Sequence, residues 1–142
     1  MEALLKNMSK EKIINLTLHE LTPELEKEGV FDLADWYKRI VRESLLFEEL
    51  PSKGEIELRV SLLVNCLLQY GGSSPERQLE EGQKILVGGA TYLIPKLVKR
   101  LKEAGFKPVG LFTKRILKER SSKDGSVVLQ ERQIVFGGFV EC

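Results

Sequence analysis

The sequence predicts an α/β fold, specifically a single Rossmann-like three-layer domain over residues 12–142 with a mainly parallel sheet and a C-terminal antiparallel hairpin. Two short runs of apolar and β-branched residues, 12–18 and 84–87, predict strands. The segments between them carry apolar residues at helical spacing, and such strand–helix alternation is typical of right-handed crossovers in a parallel sheet. After a third predicted strand at 108–115, an Asp-Gly pair before the last apolar run predicts the hairpin.

Individual residues and short patterns predict the bounds of the other helices and strands. Thr22 is a plausible N-cap, with Pro23 at the first helical position. The polar residues 1–11 are predicted to be a flexible leader, and Gly137-Gly138 is predicted to form a bend or bulge. The other elements expected along the chain are a helix at 23–28, a short strand or extended link at 30–33, helices at 34–48, 54–70 and 90–104, and one or two final strands within 127–140.

Composition is that of an ordinary globular protein and argues against several classes of function. The 142 residues suit one domain with a sizeable core, and a net charge of +1 gives no case for binding a long nucleic acid. No run of 18 apolar residues is present, so no membrane span is expected. The first residues lack an apolar signal core and a cleavage site, which favours a cytoplasmic location.

Charge is distributed unevenly along the chain. Residues 17–57 hold 11 acidic and 5 basic side chains, a net charge of −6, whereas residues 95–120 hold 9 basic and 2 acidic ones, a net charge of +7. Such polarity fits a basic site for a compact anion, head-to-tail or dimer contacts between copies of the chain, or simply solvated helix faces.

The residues of common metal and cofactor sites are missing. His19 is the sole histidine, and neither Cys66 nor Cys142 has metal-ligand spacing, so no metal site is expected. Cys66 is predicted to be a small core residue and Cys142 a free thiol. The glycine patterns of P-loop NTPases and dinucleotide-binding proteins are absent, as is the Gly-x-Ser-x-Gly of α/β-hydrolases. We therefore expect no cofactor, and any catalysis has to be independent of metal.

The most informative segment is the glycine pair Gly88-Gly89, which follows the second predicted strand. Glycine lacks a Cβ atom, so the backbone can turn sharply and a ligand can approach closely. With a helix starting at Ala90, the first N–H groups are free to bind a phosphate or carboxylate. The Thr91 hydroxyl is then placed to bond a ligand oxygen or only to cap the helix, and Tyr92 to stack on a base or only to fill the core. The plain alternative for the glycine pair is a turn without a ligand.

Polar residues of the first and third predicted strands extend this candidate site. His19 follows the first strand, where it either contacts a phosphate and moves a proton or packs on the surface, and Thr17 is assigned to the same site. Along the third strand, alternation sends Thr113 and Arg115 to one face and Lys114 to the other. Arg115 suits bidentate contact with a phosphate, or a salt bridge to a nearby glutamate.

Several segments together resemble a known group of proteins. The segments are 15–22, 88–93, 112–115, 124–125 and 138–140. From about residue 12 to the C-terminus, the chain is similar to small CRISPR-associated Rossmann-fold-like (CARF-like) proteins, including ring-nuclease-like ones, and to their prophage relatives. The resemblance implies binding, and sometimes cleavage, of cyclic oligoadenylate signals in antiviral defence.

Carried over to this chain, the resemblance implies a site built from His19, Gly88, Gly89, Thr91, Thr113 and Arg115. Two positions depart from the group's pattern. Ile116 stands where an acidic residue is expected, and Phe136 stands where a histidine is expected. If either residue performs the chemistry in relatives, this chain only binds the ligand.

Two functional hypotheses follow. In the first, a homodimer binds a cyclic or short oligonucleotide between two facing glycine turns and, where it cleaves it, uses attack of a ribose 2′-hydroxyl on the adjacent phosphate. His19 and Arg115 are then the catalytic candidates, with Arg115 stabilising the developing charge. In the second, the chain is a non-enzymatic interaction protein of a prophage or mobile element, and its acidic and basic faces bind a protein partner.

Overall fold

The computed structural model describes residues 11–121 and 128–142. Within these ranges the chain forms one five-stranded sheet with helices packed on it. The elements in chain order are β1 (Ile13–Leu16), α1 (Pro23–Lys27), β2 (Val30–Phe31), α2 (Asp35–Leu45), α3 (Lys53–Gly72), a 3-10 turn (Pro75–Arg77), β3 (Lys84–Val87), α4 (Ile94–Glu103), β4 (Lys107–Ser121) and β5 (Val128–Glu141). Nearly all of the leader predicted at 1–11, and the Asp-Gly turn of the predicted hairpin, lie outside the described residues.

The sheet has the strand order β2-β1-β3-β4-β5, with the first four strands parallel and β5 antiparallel to β4. One core lies between the sheet and helices α2, α3 and α4, and a smaller core lies on the other face, where α1 contributes Leu25. The larger core takes Ile14 and Leu16 from β1 and the smaller one takes Ile13, because successive strand residues face opposite sides. The predicted Rossmann-like α/β fold, with a mainly parallel sheet and a C-terminal antiparallel hairpin, is confirmed.

The starts of two helices differ in how well the sequence predicted them. At α1 the Thr22 hydroxyl accepts a hydrogen bond of 3.3 Å from the backbone, and Pro23 lies in the first turn, as predicted. Helix α4 begins at Ile94 and not at the predicted residue 90. Leu93, directly before this helix, is fully buried. The chain therefore makes a turn that brings Leu93 into the core before the helix starts.

The last two strands extend well beyond the parallel sheet. Strand β4 pairs with β3 only from Lys107 to Val109, and past Val109 it pairs with β5. The paired segments 110–121 and 128–140 therefore project past the sheet, and we call them the arm. At about 3.4 Å per residue the arm is about 40 Å long. The strand predicted at 108–115 was too short, because its end is set by pairing with β5 and not by its own residue pattern.

The predicted bulge in the last strand is confirmed at Gly137. Phe112 pairs with Gly138 and Thr113 pairs with Phe136, so Gly137 is an extra residue in β5. A Cβ atom added to Gly137 would lie 2.7 Å from Cδ1 of Phe112. Only glycine therefore fits at this position without a shift of the neighbouring ring.

The two cysteines are free and differ in exposure, which gives a first testable prediction. Cys66 is buried and burial raises the pKa of its thiol to about 11, whereas Cys142 is exposed. We expect a thiol reagent at pH 8 to modify Cys142 rapidly in the native protein and to modify Cys66 only after denaturation. Titration with a chromogenic disulfide reagent measures this, and rapid reaction of two thiols per native chain would contradict the burial of Cys66.

Candidate functional site

The strand order creates a topological switch point between β1 and β3. The chain leaves β1 toward β2 on one side and returns to β3 on the other, and ligands of open α/β sheets bind beyond the strand ends at such a point. Leu16 lies opposite Val87 in the register, so Thr17 and Gly88 leave the sheet side by side. A Cβ atom on Gly88 would lie 3.2 Å from Cγ2 of Thr17. Two segments that the sequence singled out separately thus meet at one edge.

A hydrogen-bond network around Asn15 shapes this edge. The Asn15 Nδ2 group donates to the His19 carbonyl at 3.0 Å and to Asp32 Oδ1 at 2.9 Å. The Thr17 hydroxyl donates to Asn15 Oδ1 at 2.6 Å and accepts from the His19 N–H at 3.1 Å. Asp32 also forms an ion pair of 3.0 Å with Lys38. The network holds the backbone of His19 in a turn directly after β1 while its side chain is exposed.

Sequence reasoning missed three members of this network, Asn15, Asp32 and Lys38. One signal was available, since Asn15 is a polar residue inside the apolar run Ile-Ile-Asn-Leu and buried amides are almost always hydrogen-bonded. Asn15 is only 6% exposed, as this argument expects. Thr17 was assigned to ligand binding, and in the structure its hydroxyl holds Asn15 and His19 in position.

A crevice opens beside this network, above the end of β2. Its lining residues are Asn15, Thr17, Leu18, His19, Glu20, Asp32, Leu33, Lys38, Val41 and Arg42. Its free volume of about 30 Å³ holds one or two water molecules. A nucleotide therefore does not fit inside the crevice.

The glycine turn differs from the predicted phosphate cradle. The Ala90 carbonyl accepts from Leu93 N at 2.9 Å and from Ile94 N at 3.2 Å, so these two N–H groups are used inside the turn. The predicted helix start at Ala90 was wrong because residues 91–93 form a turn and α4 begins at Ile94, so Thr91 is an exposed turn residue, not a cap. Gly89 is exposed and has φ +142°, a conformation that favours glycine.

Tyr92 is neither a core residue nor a free ring. It is 46% exposed, and its ring packs edge-on against Phe47 at 5.4 Å between centroids. The rest of this ring is exposed to solvent. A base could stack only on the part of the ring that Phe47 does not cover.

The basic residues of the third predicted strand lie on the arm and not at the sheet edge. Thr113, Lys114 and Arg115 are exposed, and Arg115 pairs with Ile134 across the hairpin. In the part of the chain that the structure describes, neither Lys114 nor Arg115 has an ion-pair partner. Strand β4 is two strand spacings from β1, about 10 Å, and its continuation into the arm carries Lys114 and Arg115 on opposite faces beyond the edge of the parallel sheet.

Phe136 and Ile116, the two residues that depart from the pattern of the resembled group, both lie on the arm. Phe136 packs on Phe139 with 5.2 Å between ring centroids, and both rings cover the smaller core at the base of the arm. Ile116 is 44% exposed on the arm. The aromatic ring at position 136 therefore packs on the smaller core, where a histidine would place a more polar ring.

Across residues 11–121 and 128–142, no three or more His, Cys, Asp or Glu side chains are grouped as a metal ion would require. In the same ranges, no helix has the length and apolar character needed to cross a membrane.

The sequence model of the Uncharacterized protein MJ1673 family matches residues 11–140. No curated protein and no solved structure matches the chain. The matched range includes β1, the glycine turn and both strands of the arm.

Proposed function

The chain belongs to the MJ1673 family of uncharacterized proteins, and we propose that it binds a cyclic or short oligonucleotide across the C-terminal edge of its sheet. One observation carries the proposal. Thr17 and Gly88 leave adjacent parallel strands at the switch point, and Arg115, which has no ion-pair partner among the described residues, stands on the arm that continues from β4. The biological setting that the resemblance implies is CRISPR-linked or phage-linked signalling in the cytoplasm.

The open shape of the edge favours an oligonucleotide over a single nucleotide. The crevice beside Asn15 is too small for a base. Arg115 lies six residues beyond Val109, which is opposite Leu86, so it stands about 20 Å past that level of the sheet. A ligand with several phosphates can contact both the glycine turn and Arg115, whereas one nucleotide reaches only one of them.

His19, at the same edge of the sheet, supports a metal-independent cleavage. The ribose 2′-oxygen attacks the adjacent phosphorus, the P–O5′ bond breaks, and a 2′,3′-cyclic phosphate and a free 5′-hydroxyl are formed. The exposed imidazole of His19 takes the 2′-hydroxyl proton and returns one to the leaving oxygen. Arg115 stands about 20 Å farther along the arm, so it holds a different phosphate of the same ligand.

Ligand-dependent thermal unfolding tests the binding proposal. The panel contains cyclic oligoadenylates, cyclic dinucleotides and ordinary mononucleotides. A ligand at 100 times its Kd stabilises the fold by about 2.7 kcal/mol and raises the melting temperature by several degrees. We expect a cyclic oligonucleotide to produce this shift and mononucleotides to produce none. Absence of a shift at millimolar concentrations of every compound would overturn the proposal.

Two variants locate the site. Arg115→Ala and Gly89→Val are expected to remove the ligand-induced shift, the first by deleting a phosphate contact and the second by straining a backbone of φ +142°. Arg100→Ala is the matched control, because Arg100 is an exposed arginine on α4 outside the proposed site. Retention of the shift in Arg115→Ala would place the ligand elsewhere, and chromatography of the products separates binding from cleavage.

A second candidate function, a protein-interaction domain, is favoured by the exposed apolar side chains of the arm. Leu117 is 60% exposed and Ile134 is 68% exposed. This candidate predicts partner binding without any effect of nucleotides on the melting temperature.

A further inference from the structure

The arm exposes six large apolar side chains to solvent. The side chains that are 40–68% exposed on it are Leu111, Phe112, Ile116, Leu117, Ile134 and Val140. Alternation places Leu117 and Ile134 on one face and Phe112 and Ile116 on the other. An isolated two-stranded hairpin is at best marginally stable in water. Both faces of the arm therefore need a cover that the described part of one chain does not provide.

A second surface of the same chain also exposes apolar side chains, together with acidic ones. A groove of about 580 Å³ lies where α2 turns into α3, and we call it the acidic groove. Its lining residues are Glu43, Leu46, Phe47, Glu48, Glu49, Leu50, Pro51, Ser52, Glu55 and Arg59. Leu50 is 98% exposed and Leu46 is 47% exposed, so the groove also presents apolar surface without cover.

The back of the acidic groove is held in place by Arg59. Its guanidinium donates to the carbonyls of Glu43 and Leu46 at 2.6 and 2.7 Å and pairs with Glu55 at 2.7 Å. It also lies 4.9 Å from the centroid of the Phe47 ring. The groove is thus a formed surface whose remaining glutamates are turned to solvent.

We propose that the arm of one chain docks into the acidic groove of a second copy of this chain. Lys114 and Arg115 are the charged residues among the described side chains of the arm, and alternation places them on opposite faces. In the groove Glu55 pairs with Arg59 and Glu43 with Arg39, whereas Glu48 and Glu49 have no ion-pair partner among the described residues. The face of the arm that carries Lys114, Phe112 and Ile116 therefore matches the groove in charge and in apolar character. Each copy supplies one arm and one groove, so reciprocal docking closes as a twofold dimer. This inference goes beyond the proposed ligand, and docking by the face of Lys114 leaves Arg115 to bind that ligand.

The dimensions of the arm agree with such an interface. Two strands about 4.8 Å apart and about 40 Å long present about 400 Å² on each face. In reciprocal docking each chain buries one face of its arm and a matching area of its groove, about 800 Å² per chain, which is the area that a stable interface buries on each partner. Within its own chain the two strands of the arm pack chiefly against each other. The arm is therefore free to reach a second copy.

Sedimentation equilibrium of the full chain tests the proposal. A concentration range of roughly 10–100 µM is used, because an interface of standard size is expected to be formed there. We expect twice the chain mass of 16.1 kDa. A monomer throughout this range would overturn the proposal. A mass that keeps growing beyond the dimer would overturn reciprocal docking, because it shows an open head-to-tail contact.

Three charge-introducing variants at exposed aliphatic side chains locate the interface. Ile116→Glu changes the docking face of the arm and Leu50→Glu changes the acidic groove, and each is expected to give the monomer mass. Leu68→Glu is the matched control, since Leu68 is 52% exposed on α3 outside both surfaces, and it is expected to remain dimeric. Circular dichroism confirms that each variant is folded. A dimer that survives both Ile116→Glu and Leu50→Glu, or is lost in folded Leu68→Glu, would overturn the docking.

Discussion

Replacing Gly29 by alanine is expected to lower the free energy of unfolding by at least about 3 kcal/mol. Gly29 follows the C-terminus of α1 with φ +91°, and the left-handed conformation alone costs about 1–2 kcal/mol for a residue with a Cβ atom. An added Cβ would also collide with the Glu11 carbonyl oxygen. The Gly29 carbonyl accepts from Ile13 N at 2.9 Å, so the collision has to displace the start of β1.

Gly105→Ala is the matched control for this prediction. Gly105 follows the C-terminus of α4 with φ +90°, and a Cβ there meets no atom within 4 Å. The control is expected to cost only the conformational term, about 1–2 kcal/mol. Urea unfolding measures both variants. Equal losses in Gly29→Ala and Gly105→Ala would show that the contact with Glu11 adds nothing.

Local chemistry explains the parts of the fold that could be predicted from the sequence. The alternation of strands and helices predicts a parallel sheet, Thr22 with Pro23 marks the start of α1, and Gly137 marks the bulge. Each of these features depends on residues that are close in the chain. The start of α4 was predicted too early because burial of Leu93, a tertiary demand, overrides the local tendency of the segment after the glycine pair to form a helix.

The sequence predicted which residues follow the strands at the candidate site, but it did not predict the contacts between them. Thr17 and Gly88 were both singled out, and their neighbouring placement follows from the parallel pairing of β1 with β3. Asp32 was not singled out, because its contact with Asn15 joins residues 17 positions apart. Arg115 was expected at the end of a strand, and the pairing of β4 with β5 instead places it along the arm.

Replacing Asn15 by aspartate is expected to cost about 3 kcal/mol and to lower the melting temperature by about 10 °C. The two side chains have the same shape, but the carboxylate has no N–H to donate. It would place an oxygen against Asp32 Oδ1 and against the His19 carbonyl, at positions where the amide now bonds at 2.9 and 3.0 Å. Asn15 is only 6% exposed, so solvent cannot compensate the new charge.

Asn65→Asp is the matched control, because Asn65 is an exposed asparagine on α3. The same chemical change there is expected to alter the free energy of unfolding by no more than about 0.5 kcal/mol. Urea or thermal unfolding compares the variants, and equal effects of Asn15→Asp and Asn65→Asp would contradict the importance of the network.

The double variant Asn15→Asp with Asp32→Asn separates the two contacts of the Asn15 amide. It restores a donor opposite an acceptor between β1 and the end of β2, so it is expected to recover part of the stability lost in Asn15→Asp. It does not restore the donor to the His19 carbonyl, so the backbone of His19 remains released. We therefore expect the double variant to regain stability without regaining the full ligand-induced shift in melting temperature. Complete recovery of both quantities would mean that Asn15 acts only through Asp32 and that the position of His19 does not depend on it.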